Sequence, residues 1–240
     1  MTTTTQLGGS YISVDLSADL AAAALDLARR FHDGATLWVI APQWEPHAHH
    51  VAVEFVHPVI MGKRALPSVA LVEPDPVAQA RVASQPGDLL IAVASADQPS
   101  VVEAMQRAPA WGVLTLWIGS GPRPPAGAAN HILWIDSDDP MVPATGTFVL
   151  MYHLLWELTH VCFEHPGLLK QPDCTDDACV TCSDEGRLGE VVLEPVEGQA
   201  LVRTAEGEEW VDTTLLGEAS VNDLILVHAG AAITRLEVKP

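Results

Sequence analysis

Five short apolar runs, separated by stretches with helical spacing, constrain this chain more than any other feature. TLWVI (36–40) is uninterrupted, as a strand covered on both faces of a parallel sheet should be. PSVALV (67–72), GDLLIAVAS (87–95), VLTLWIG (113–119) and HILWID (131–136) repeat the theme. Ser17 suits an N-cap for the Ala- and Leu-rich stretch that follows, and Gly34 suits its stop. Further helices are predicted at about 46–57, 77–83, 99–108 and 143–164, the third of these opened by Pro99 in its first turn. Strands alternating with helices predict an α/β domain, a three-layer sandwich on a five-stranded parallel sheet.

The texture breaks at PGLLKQPDCTDDA (166–178), which has no helical or strand period and reads as a linker. Beyond it come five short apolar runs at close spacing: LGEVVLE (188–194), ALVRTA (200–205), EEWVDT (208–213), LILVHA (224–229) and AAITRLE (231–237). Glycines punctuate them, which predicts a small β-barrel. The expected division is 1–165, linker 166–178, and barrel 179–240. About sixty residues make a marginal core alone, so the barrel is expected to dock on something.

Charge narrows the partners. Acids outnumber bases 31 to 12, a net charge of −19. Phosphate backbones and anionic lipid surfaces are bound mainly by Lys and Arg, so neither nucleic acid nor membrane is an expected partner. No apolar run reaches 18 residues, and the Thr-rich start lacks a basic, apolar leader; the expectation is a soluble, cytoplasmic protein. Three of the four cysteines crowd between 174 and 182, a spacing that suggests metal or catalytic work rather than a disulfide scaffold.

HHVAVEFVHPVIMGKRALPSVALV (49–72), GDLLIAVASADQPSVVEAMQRAPAWGVLTLWIG (87–119) and FVLMYHLLWEL (148–158) give residues 21–160 a resemblance to sugar isomerase (SIS) domains of the sedoheptulose 7-phosphate isomerase type. The resemblance implies dimers or tetramers. In that type a His, a Glu four residues later and a His on the last helix bind zinc and shuttle protons in an aldose–ketose isomerisation. Here they fall on His50, Glu54 and His153, so zinc or another divalent metal is implied; the family's glutamine position falls near Thr145. An i,i+4 pair shares one helix face, and imidazole with carboxylate suits such a metal. His47, His49 and His57 are further candidates nearby, and the alternative for all these histidines is a surface or helix-contact role with no metal. The family's small-residue phosphate loops read here as APQWEP (41–46) and VASADQPS (93–100). Trp44, Glu45 and Asp97 would fill and repel a phosphate site, so ordinary phosphosugar isomerisation is expected to be lost.

Cys179-Val-Thr-Cys182 ahead of the barrel, with Asn222-Asp223 and LILVHAGAAI (224–233) near its end, is similar to the HypC/HupF family of [NiFe]-hydrogenase maturation chaperones. That resemblance implies transient binding of iron as the Fe(CN)2(CO) unit by Cys179 or Cys182, with His228 beside it. The implied partners are a maturation scaffold protein and the hydrogenase large subunit. A structural zinc site on Cys174, Cys179 and Cys182, completed by His165 or His228, is the competing reading; a redox CxxC is a weaker one. The sequence as a whole reads first as a non-enzymatic hydrogenase maturation factor, dimeric through its apolar final helix. Alternatives are a metal-dependent sugar phosphate isomerase or a carbohydrate-derivative-binding protein with an accessory barrel.

Overall fold

The computed structural model describes residues 5–7, 10–58, 60–72, 74–170 and 186–238. After a short hairpin, β1 (Thr5–Leu7) and β2 (Ser10–Ile12), helix α1 runs Val14–His32. It starts one turn earlier than expected. Ser13, not Ser17, is the N-cap, its Oγ accepting from Leu16 N at 3.1 Å, while the Ser17 hydroxyl donates back to Ser13 O. Then follow β3 (Leu37–Ile40), α2 (Glu45–Val56), β4 (Ser68–Leu71), α3 (Pro76–Ala83), β5 (Leu89–Val93), α4 (Pro99–Arg107), β6 (Leu114–Ser120), β7 (His131–Ile135) and α5 (Gly146–Glu164). Each predicted strand and helix of this unit is present, with ends shifted by a few residues.

The five long-range strands form one parallel sheet in the order β4-β3-β5-β6-β7. Every residue of β5 is buried, which is why LLIAV shows no alternation. Side chains from α1, α2 and α5 cover one face, around Leu27, Phe55, Tyr152 and Leu155. On the other face α3, α4 and the turn at Ala108–Trp111 pack around Val101, Trp111 and Trp117. Helix α5 is apolar on several sides because Phe148, Met151, Tyr152, Leu155 and Trp156 are taken into the core of its own chain, with Leu154 and Leu158 packed beside them. Leu150 is the large apolar side chain it leaves exposed.

Of the expected linker, Pro166–Leu168 form a single 3-10 turn whose Leu168 carbonyl accepts from Arg29 Nε, and residues 171–178 lie outside the described residues. So do Cys174, Cys179 and Cys182. Residues 186–238 form a second, mixed sheet from β8 (Arg187–Val191), β9 (Gln199–Thr204), β10 (Gly207–Asp212), β11 (Leu224–His228) and β12 (Ala231–Leu236). Its ladders are antiparallel except where β10 meets β12 through one parallel pair, Asp212 with Ala231, which closes the sheet on itself. Its own core is small: Val191, Ala200, Val202, Val211, Ile225, Val227 and Ala232.

That core is supplemented from outside. Leu224 is buried in the same cluster as Trp111 and Val101, with Leu188, Leu236 and Val238 packed against it. Glu190 on β8 is fully buried at the seam. It accepts from Arg81 Nε at 2.9 Å, Arg107 Nη1 at 2.8 Å and Trp111 Nε1 at 2.9 Å, all from the α/β unit. In return Arg203 of β9 donates to the carbonyls of Arg81 and Ser84. Gly112 has φ +76°, and a Cβ there would stand 3.0 Å from the Ala205 carbonyl, so the close approach of the two units rests on a glycine.

Candidate metal centre

Helix α2 carries EPHAHHVAVEFV, whose apolar residues Ala48, Val51, Ala52 and Phe55 face the sheet. That orientation leaves His50 and Glu54, one turn apart, on the side toward α5. Helix α5 brings His153 to them. His50 Nε2 and His153 Nε2 are 3.1 Å apart, and each lies close to Glu54 Oε1, at 3.4 and 3.5 Å. The three ligand atoms fall within 4.8 Å of one another, the one such grouping of His, Cys, Asp and Glu among the described residues. Side-chain exposures of 38% for His50, 14% for Glu54 and 41% for His153 leave the cluster open on its outer side.

Behind the cluster is a polar chain that enters the core. His50 Nδ1 is 2.9 Å from the Tyr152 hydroxyl, which is 3.3 Å from His47 Nδ1. His47 Nε2 then meets the Pro143 carbonyl at 2.9 Å. Burial raises the Tyr152 pKa to about 12, with the Glu54 charge adding to it, so the hydroxyl keeps its proton. Burial also pushes the His47 imidazole below its usual value, partly opposed by the Pro143 hydrogen bond and reinforced by His50.

The donor set fits a divalent metal of the zinc class. Two imidazoles and one carboxylate are three protein ligands, the number that leaves a coordination position for another molecule. The other candidates stand elsewhere. His49 is exposed beside Glu45 at 3.5 Å, and His57 ends α2. Thr145 caps α5 through Oγ, near Phe148 N at 3.4 Å, rather than joining the cluster. Cys162 is buried core. His228 closes β11 at the hairpin formed by Ala229 and Gly230, both at positive φ, in the other unit. By sequence His47 was one of the further candidate histidines and Tyr152 was not a candidate; the α2–α5 crossing joins both to His50.

The strand order reverses between β3 and β5, where a ligand crevice opens at the carboxyl ends of an open α/β sheet. Here Gln43 crosses it. Its Oε1 accepts from Ser95 N at 2.9 Å and lies 3.0 Å from Ser95 Oγ, which is 2.6 Å from Asp97 Oδ1. The Ser95 N–H and hydroxyl, which the loop could turn to an anion, are already engaged.

Among solved structures, the chain is similar to a phosphoheptose isomerase from Francisella tularensis, with TM-score 0.50 and 14% identity over 62% of this chain and 92% of that one. It is equally similar to phosphoheptose isomerase GmhA from Neisseria gonorrhoeae, with TM-score 0.50 and 14% identity over 61% and 86%. The α/β unit has the SIS fold. At this identity the likeness is one of fold. No protein-family model matches the sequence, and no curated protein matches it. Nothing in these comparisons carries the likeness of the C-terminal unit to HypC/HupF chaperones, or an iron or hydrogenase role. No helix among the described residues is long and apolar enough to cross a membrane.

Proposed function

We propose that the SIS-like unit holds a divalent metal at His50, Glu54 and His153 and binds a carbohydrate derivative there, without the phosphate clamp of a phosphosugar isomerase. The observation that carries this is the meeting of three ligand atoms, drawn from α2 and α5, within 4.8 Å on an SIS fold. A bound divalent ion would act as a Lewis acid toward a carbonyl or hydroxyl of the ligand. The chain's own residues do the rest: the two imidazoles and Glu54 hold the ion, and the Gln43–Ser95–Asp97 contacts withdraw the loop donors and add a negative charge where a phosphate would sit.

Calorimetric titration of chelator-treated protein with zinc tests the reading. One equivalent per chain is expected in the wild type, with binding weakened at least about tenfold in Glu54→Ala. Absence of zinc binding would remove it. Thermal shift of the zinc-loaded protein with a free sugar and its phosphate then tests the clamp: a larger shift with the phosphate would overturn that part.

The C-terminal unit favours a second reading, hydrogenase maturation with iron carried at Cys179 or Cys182 beside His228. The support is the hairpin that seats His228, Ala229 and Gly230 at the end of β11, where the chaperone-like segment was read. The cysteines themselves lie outside the described residues. Under this reading the SIS-like unit is scaffold or sensor, the partners are a scaffold protein and a hydrogenase large subunit, and a dimer is the proposed assembly. Hydrogenase activity undiminished in both Cys179→Ala and Cys182→Ala would dispose of it.

A further inference from the structure

His47 Nε2 lies 2.9 Å from a carbonyl oxygen, which can only accept, so that nitrogen carries the proton. A neutral ring protonated at Nε2 has a bare Nδ1. The Tyr152 hydroxyl beside it, at 3.3 Å, therefore donates its single proton to His47. Having spent that proton, the Tyr152 oxygen can only accept from the other side. His50 Nδ1, at 2.9 Å, is the group there, and it must be the N–H. The chain has one consistent direction, from His50 through Tyr152 and His47 to Pro143.

We propose that Tyr152 and His47 are positioning residues that fix His50 in its Nδ1–H tautomer, so that a bare Nε2 lone pair faces Glu54 and His153. This rests on the metal reading above, and it extends that reading inward by two residues that are not ligands. The two histidines then differ. His50 is set for a metal before any metal arrives. In the 3.1 Å contact between the two Nε2 atoms the proton then belongs to His153. Outer partners that orient a histidine in this way are worth about 10–100-fold in metal affinity.

The test reads the tautomer directly. Long-range nitrogen–proton correlation spectra of the full chain, histidine-labelled and stripped of metal, should show His50 protonated at Nδ1. Tyr152→Phe keeps the ring and removes the hydroxyl. It should move His50 toward the Nε2–H form and weaken zinc binding by about 10–100-fold. An Nε2–H form of His50 in the wild type would overturn the proposal, with no variant needed. So would a folded Tyr152→Phe protein with unchanged tautomer and affinity. An Nδ1–H wild type that binds no zinc would support the tautomer assignment while overturning the metal reading, so the two failures are distinguishable.

Discussion

The residue that shows how pH should act on this fold is His47. It is buried, hydrogen-bonded as a neutral ring, and its pKa lies below the ordinary value near 6.5. The unfolded chain therefore binds a proton at this position more readily than the folded one. The stabilisation is complete above about pH 6.5 and is lost as pH falls from there through the lowered folded value. Denaturant unfolding at pH 7.5 and 5.5 should show the wild type losing more stability than His47→Gln over that interval; equal losses would place the effect elsewhere. Part of this site was legible beforehand. His50 and Glu54 share a face on any helix that contains them, and His153 followed from resemblance. His47 stood out only as one more histidine nearby, and Tyr152 not at all, because adjacency across a helix crossing leaves no spacing signal in a sequence.

Elements were the most legible scale, since an apolar period or an uninterrupted apolar run reports burial directly. The misses have physical causes. Helix α1 begins at Val14 because Leu16 and Leu20 continue its buried face, so the Ala-rich run that marked the helix was its middle rather than its start. For helix α5 an apolar circumference does not say whose surface covers it, and the dimer read from it stands as a proposal. The core of its own domain covers most of it, and Leu155 is fully buried. Leu155→Ala should cost about 2–5 kcal/mol in urea unfolding. Leu150→Glu, on the exposed side, should leave the unfolding midpoint nearly unchanged. If the two variants prove equally stable, the packing assigned to α5 is wrong.

At the scale of the molecule, the seam is what no linear pattern announced. A small C-terminal unit was expected to dock, but not where, and Glu190 gave no sign of being a buried acid: in LGEVV it occupies an ordinary strand position. Its carboxylate collects three donors from the other unit, so removing it leaves the Arg81 and Arg107 guanidinium groups without their shared buried carboxylate. Glu190→Ala should lower stability by about 3–5 kcal/mol, the range for breaking a buried ion pair on one side. Denaturant unfolding would show it, and a loss below 1 kcal/mol would mean that water reaches the seam. A covalent tether is then of minor importance to assembly. If a site-specific protease cut the chain between 171 and 185, the two fragments would remain together as a nicked complex and co-elute as one species. Expressed from separate messages, they would find each other through the same charges.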